Sequence, residues 1–225
     1  MNAAHSRRHR DTGCVRRSIG HNRRMDALIA GYRRFRATQW PERRAVFEAL
    51  ARDGQSPRAM VIACSDSRVD PAMIFGAGPG ELFILRNVAA LVPPWQPDAQ
   101  FHATSAALEF AVRVLEVPDL VVLGHGMCGG IRALLEGAPQ AASDFLGPWM
   151  RIAEPAKRRV LECRAADPQT ACEREAVKES LANLLTFPWI AERVADGRLR
   201  LHGATFDIRF GVLWRLQADG GFAEA

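Results

Sequence analysis

The chain has 225 residues, 48% of them hydrophobic, and a formal net charge of +5. That length suits one α/β domain with a tail, and no apolar run approaches the roughly 18 residues that a membrane-spanning helix needs. The positive charge sits in residues 1–24, whose seven Arg and one Asp leave −1 for the rest, so the folded part offers no electrostatic footprint for nucleic acid.

Residues 1–24 read as a basic, disordered extension. Met25 reads as the functional start of a single domain spanning 25–225, because helical apolar spacing first appears at Met25-Asp26-Ala27-Leu28-Ile29. Asp26–Arg36 and Pro41–Ala51 are predicted as two amphipathic helices, the second with Pro in its first turn and Asp53-Gly54 after it. Ala59-Met60-Val61-Ile62-Ala63 is predicted as a first buried strand. Leu82-Phe83-Ile84-Leu85 is the second, following the Gly-rich turn at 76–80. Thr104–Glu116 carries a helical stripe of Ala107, Leu108, Ala111, Val112 and Leu115, and Pro118-Asp119 ends it. Leu120-Val121-Val122-Leu123-Gly124 is the third strand, and Gly129-Gly130 opens a helix running to Gly137.

Residues 138–196 read as largely helical, with breaks at Pro148, Pro155, Pro168 and Pro188. The stretch 199–216 alternates like a strand followed by a hairpin turning near Gly211. Strands alternating with helices predict an α/β fold: a mostly parallel central sheet flanked by helices, with N-terminal helices and a C-terminal strand and hairpin extension. Ligands of such sheets gather beyond the carboxyl ends of the strands.

Two motifs stand at those ends. Cys64-Ser65-Asp66-Ser67-Arg68 follows the first strand and His125-Gly126-Met127-Cys128 follows the third. Two Cys and one His form a three-ligand set for catalytic zinc, with the fourth tetrahedral position left to water. Thiolates and imidazole suit that borderline-soft ion and serve magnesium or calcium poorly. Asp66 either binds the metal and closes the open position, or stays off it. Arg68 favours the second, since a guanidinium–carboxylate pair would keep Asp66 ionised and oriented. The five cysteines, odd in number and irregular in spacing, are no disulfide framework. Cys163 and Cys172 read as incidental thiols in polar helical surroundings, and a reducing, cytoplasmic location follows.

These motifs resemble those of the β-class carbonic anhydrases. The likeness extends over roughly residues 26–216, through Ala63–Val69, Pro79-Gly80-Glu81, Arg86-Asn87-Val88-Ala89, Ala106–Val112, Gly124–Gly130 and His202-Gly203. The resemblance implies one zinc ion per subunit on Cys64, His125 and Cys128, with Asp66 and Arg68 as the catalytic dyad. It implies reversible hydration of carbon dioxide to bicarbonate and a proton by attack of zinc-bound hydroxide. Gln55 matches the substrate-orienting glutamine of plant-like members. Phe83, Val88 and Phe110 match the apolar wall of the substrate pocket, the aromatic at 110 coming from the neighbouring subunit, and Gly129 joins that pocket. Val61 stands where bicarbonate-inhibited members carry tryptophan, which argues against their regulatory site. The resemblance further implies a homodimer or higher even oligomer, with no nucleic-acid or membrane partner.

Two other readings share the ligand set. One is a zinc hydrolase of carbon disulfide or carbonyl sulfide, linear isosteres of carbon dioxide. The other is a non-catalytic bicarbonate or zinc sensor with Asp66 closing the metal position; Gln55, Asp66 and Arg68 together disfavour it. A zinc deaminase would need a His-x-Glu motif paired with Pro-Cys-x-x-Cys, which the chain lacks.

Overall fold

The structure is a computed structural model that describes residues 23–225, with side chains from Met25 onward. The disordered extension expected for residues 1–24 therefore lies almost entirely outside the described residues, as does Cys14. The described residues divide into two compact units, the first ending at Ala49 and the second running from Leu50 to Ala225.

The described part of the first unit is helical. Helical backbone runs from Arg23 to Asp53 as α1, with Pro41 inside it; Phe35 and Phe47, about 18 Å apart along a straight helix, bring their ring centroids to 6.4 Å, so α1 bends at the proline, where the sequence predicts the second helix to start. A proline inside a helix removes one backbone donor and crowds the preceding turn. Aromatic packing bridges this point: the Trp40 ring stacks on Phe47 at 5.1 Å, and Phe35 meets both edge-on at 6.4 Å. The Arg36 guanidinium lies 4.9 Å from the Trp40 ring centroid, adding a cation–π contact.

The second unit is built on a six-stranded sheet of order β2-β1-β3-β4-β5-β6. The strands are β1 (Ala59–Cys64), β2 (Leu82–Asn87), β3 (Asp119–His125), β4 (Arg200–Asp207), β5 (Val212–Leu216) and β6 (Phe222–Glu224). β2, β1, β3 and β4 are parallel, and β5 and β6 add antiparallel pairs. The hairpin turns at Gly211, with φ of 68°, in the left-handed region where glycine is free of Cβ strain. The terminal strand β6 has no counterpart in the sequence reading.

Between the strands lie α2 (Pro71–Ile74), α3 (Ala103–Glu109), α4 (Gly129–Glu136), α5 (Leu146–Met150), α6 (Glu154–Glu162), α7 (Pro168–Leu184) and α8 (Pro188–Ala195). Three of the expected helix breaks, Pro155, Pro168 and Pro188, stand in the first turn of α6, α7 and α8, where a missing N–H costs nothing. The predicted Thr104–Glu116 helix is only half α-helical. After Glu109 it widens into one π-helical turn, with Leu115 N–H donating to Phe110 O at 2.9 Å. Glu116, at φ 53°, then turns the chain into Pro118 and β3.

Successive strand residues face opposite sides of the sheet. Met60, Ile62, Leu120 and Val122 pack with Leu108, Val112, Leu184, Phe187 and Ile190 on one side, while Val61, Ala63, Leu123 and Ala204 cluster on the other. A further buried cluster surrounds Cys64 and Cys128 and includes Leu91, Ile131, Met150 and Cys172. The polar setting expected for Cys172 is thereby corrected: it is fully buried among apolar side chains, and burial pushes its thiol up to about 11. Cys163 is exposed.

Candidate metal centre

The chain passes from β1 to β2 on one side and then crosses to β3 on the other, so the strand order reverses at the β1/β3 pair. Clefts of open α/β sheets form at such switch points, beyond the carboxyl ends of the strands. Cys64 ends β1 and His125 ends β3. Cys128 follows three residues later as the residue preceding α4. The two sulfurs and a His125 ring nitrogen all lie within 4.8 Å of one another, and all three residues are buried.

The ligand atoms are oriented from outside the cluster. His125 Nδ1 lies 2.9 Å from Gly126 O, a contact only Nδ1–H can make, which leaves Nε2 with a free lone pair. His125 is 2% exposed, and its Nε2 is the one buried side-chain polar atom without a hydrogen-bond partner among the described residues. A buried polar atom left unpaired is costly. A soft cation held with the two neighbouring sulfurs would satisfy it. The Ala89 N–H donates to Cys64 Sγ at 3.3 Å. The hydrogen bond from Cys128 draws the Cys64 thiol well down in spite of burial, and the same contact raises Cys128. Two adjacent buried sulfurs, one of them with its thiol drawn down, beside an unpaired imidazole nitrogen fit a thiolate-binding metal.

Asp66 and Arg68 form a bidentate pair at the rim. The Arg68 backbone N–H and Nε donate to Asp66 Oδ1 at 2.9 Å each, and Nη2 donates to Oδ2 at 2.7 Å. These bonds hold the Asp66 carboxyl well below the usual carboxylate range. Oδ2 lies 3.9 Å from His125 Nε2, so this oxygen faces the ligand cluster. Arg68 Nη2 also reaches Met127 O at 3.0 Å and ties the first motif to the second.

Three supporting groups had escaped the sequence reading. Arg86, quoted there only within a motif, donates to Cys64 O at 2.9 Å and to Asp66 O and Val69 O at 2.6 Å each, clasping the loop after β1. Glu173 and Gln169 reach Cys128 from α7. Burial raises the Glu173 carboxyl above its ordinary range. Local pattern gives no sign of the α7 pair, which is 41 and 45 residues from the cysteine it contacts. Close approach explains how α7 gets there: a Cβ on Gly124 would lie 2.8 Å from Val177 Cγ2.

The residues expected to bind substrate fall into two groups. Val88 and Gly129 sit beside the cluster. A Cβ on Gly130, next to Gly129, would meet Val88 Cγ1 at 2.8 Å, and Cys128 immediately precedes both glycines. Phe83 lies elsewhere: it pairs with Met60, four residues before Cys64, which is roughly 13 Å back along the strand. Phe110 packs on Phe83 with ring centroids 5.9 Å apart. Gln55 is exposed in the segment leading into β1, at the opposite end of that strand from Cys64. Within a single chain Gln55 and Phe83 enter β1 and β2 near their starts, whereas the ligands leave β1 and β3 at their ends.

The family profile described as carbonic anhydrase matches residues 59–213. Beta carbonic anhydrase 3 of Arabidopsis thaliana is 37% identical over 202 residues, covering 85% of this chain and 77% of that protein. The solved structure of the β-carbonic anhydrase CcaA superposes with a TM-score of 0.85 at 32% identity, covering 91% of this chain and 93% of that one. One of two tetrameric β-carbonic anhydrases from Sordaria macrospora follows at a TM-score of 0.75 and 27% identity, over 90% of this chain and 100% of that one.

Proposed function

The chain belongs to the carbonic anhydrases of the β class, a family of enzymes, and on that premise we propose that it hydrates carbon dioxide reversibly to bicarbonate and a proton, using one zinc ion per subunit. The observation that carries this reading is the buried trio of Cys64, His125 and Cys128 with Asp66 beside it. Zinc held by three protein ligands lowers the pKa of water from about 16 towards 7.

The rest is the work of the side chains. Cys64 and Cys128 supply the thiolates, and His125 supplies the Nε2 lone pair that its Nδ1 contact leaves free. Asp66 stays ionised because Arg68 occupies it from the far side. Its Oδ2 accepts the hydrogen bond of the attacking water and aims the oxygen lone pair at substrate carbon. Asp66 stays off the metal in this reading, since Arg68 already fixes both of its oxygens.

Val88 and Gly129 form the near wall of the pocket, and a second copy of the chain supplies the rest. Its Gln55 amide donates to a substrate oxygen, and its Phe83 and Phe110 exclude water. The separation of these residues from the triad within one chain supports this division, as does the exposure of Val88 (38%) and Phe110 (42%). The chain acts as a homodimer or a higher even assembly, with the plant-like pocket and without the tryptophan-based bicarbonate site. Sedimentation at falling protein concentration, read alongside specific activity, is expected to show activity lost as the dimer dissociates. A fully active monomer overturns the shared pocket. No described helix is long and apolar enough to cross a membrane, and we place the protein in the cytoplasm, where its thiols stay reduced. Full activity recovered from a membrane or extracellular fraction would overturn that placement.

Stopped-flow hydration of carbon dioxide, with zinc quantified on the same sample, tests the reaction. Two thiolates donate more charge than imidazoles do, so the rate is expected to rise with pH and reach half its maximum above pH 7. A protein fully loaded with zinc but without hydration activity overturns the function. A flat profile down to pH 6 overturns the thiolate ligation.

A further inference from the structure

Cys128 lies in a turn that its own backbone disfavours. Met127, just before it, has φ of 57°, a left-handed conformation that is strained for a residue with a side chain. Something outside the turn must hold it. The peptide plane between Met127 and Cys128 is gripped at both ends: Arg68 Nη2 donates to Met127 O at 3.0 Å, and the Cys128 N–H donates to Glu173 Oε1 at 2.8 Å. The plane after Cys128 is gripped too, because its carbonyl accepts Gln169 Nε2 at 3.1 Å and the Arg132 N–H at 3.0 Å. Gln169 Nε2 also donates to Glu173 Oε1 at 2.6 Å, making the two α7 side chains one unit. With both planes fixed, φ and ψ of Cys128 stay at −68° and 120°, and the direction of its Cα–Cβ bond is set.

Glu173 is 4% exposed and has no Lys or Arg nitrogen within 4.0 Å among the described residues. A carboxyl buried without a cation is expensive to keep. Its two donors are the backbone amide of a metal ligand and the side chain that holds the same ligand's carbonyl.

We infer that Glu173 and Gln169 are positioning residues, which hold the Cys128 backbone in the one conformation that carries its sulfur to the metal. The inference rests on the zinc reading of the Cys64–His125–Cys128 trio. Groups that orient metal ligands typically contribute 10- to 100-fold in metal affinity.

Zinc affinity of the intact protein, measured by chelator competition, tests this for wild type, Glu173→Ala, Glu173→Gln and Gln169→Ala. The sulfur-to-cobalt charge-transfer band of each cobalt(II)-loaded form supplies a readout independent of activity. Glu173→Ala is expected to weaken zinc binding by about 10- to 100-fold and to shift or weaken the cobalt band. Glu173→Gln keeps an oxygen for the Cys128 N–H and is expected to recover most of the affinity. Gln169→Ala, which leaves the Arg132 bond to the Cys128 carbonyl in place, is expected to have the smaller effect. A Glu173→Ala protein with wild-type affinity and an unchanged band overturns the inference. So does a Glu173→Gln protein no better than Glu173→Ala when the metal-free forms of both unfold early, because Glu173 is then mere packing. A wild type that retains no zinc overturns the reading of the trio itself, a result distinct from either.

Discussion

Asp66→Asn is expected to lower kcat/KM for carbon dioxide hydration by about 100-fold or more while zinc content stays at that of wild type. The carboxylate accepts three hydrogen bonds from Arg68, two on Oδ1 and one on Oδ2. Asparagine has one oxygen and one NH2 group. If its oxygen keeps the Oδ1 bonds, the NH2 takes the place of Oδ2 and turns a donor toward the Arg68 Nη2 donor and the ligand cluster. If it flips, a donor faces the Arg68 backbone N–H and Nε. Either way the Asp66 acceptor that faces the ligand cluster is lost or disturbed, and positioned proton acceptors typically contribute 10²- to 10⁴-fold. The three ligands remain, so zinc is retained. Stopped-flow rates with metal analysis of the same samples check both halves. Zinc lost together with activity would make Asp66 a ligand, and activity retained would remove it from the chemistry.

Phe187→Ala is expected to destabilise the protein by about 3–5 kcal/mol, the usual range for deleting a buried aromatic ring. Phe187 is fully buried in the cluster behind β1 and β3, and its ring meets Trp189 at 5.3 Å. The substitution spares the backbone: Phe187 O still accepts the Ile190 and Ala191 amides that start α8. The loss is therefore one of packing and transfer free energy. Set against a total stability of roughly 5–15 kcal/mol, it is severe. At about 2–4 °C per kcal/mol for a chain of this size, the melting temperature should fall by roughly 6–20 °C. Denaturant unfolding should give a lower midpoint with an unchanged slope, since the surface exposed on unfolding hardly differs. A loss below about 1 kcal/mol would show that neighbouring side chains collapse into the space.

The α/β architecture and the ligand set could be read from short segments because both are locally encoded. A buried strand shows itself as a compact β-branched run, as at Leu120–Gly124, and a metal ligand by its side-chain chemistry at the end of such a run. Errors arose where neighbours outside the segment decide. Cys172 has charged sequence neighbours, but α7 turns it toward an apolar cluster drawn from other elements. The apolar stripe of Ala107, Leu108, Ala111, Val112 and Leu115 persists through the π-helical turn, which only the Leu115-to-Phe110 hydrogen bond reveals.

The sequence by itself determined which atoms the centre offers: two thiol sulfurs, an imidazole, a carboxylate and its guanidinium, each carried at the end of a strand. Those are properties of residue type and of spacing over four or five positions. Only the tertiary structure decided that Cys64 meets His125 and Cys128, because that depends on β1 pairing with β3 in register, Met60 against Leu120. It also decided that Gln55 and Phe83 stand away from their own chain's triad, since a strand that enters at one end of the sheet must leave at the other. The same structure brought Glu173 and Gln169 behind Cys128. Residue pairs 41 to 45 positions apart meet through the packing of α7 on β3, which no local period encodes.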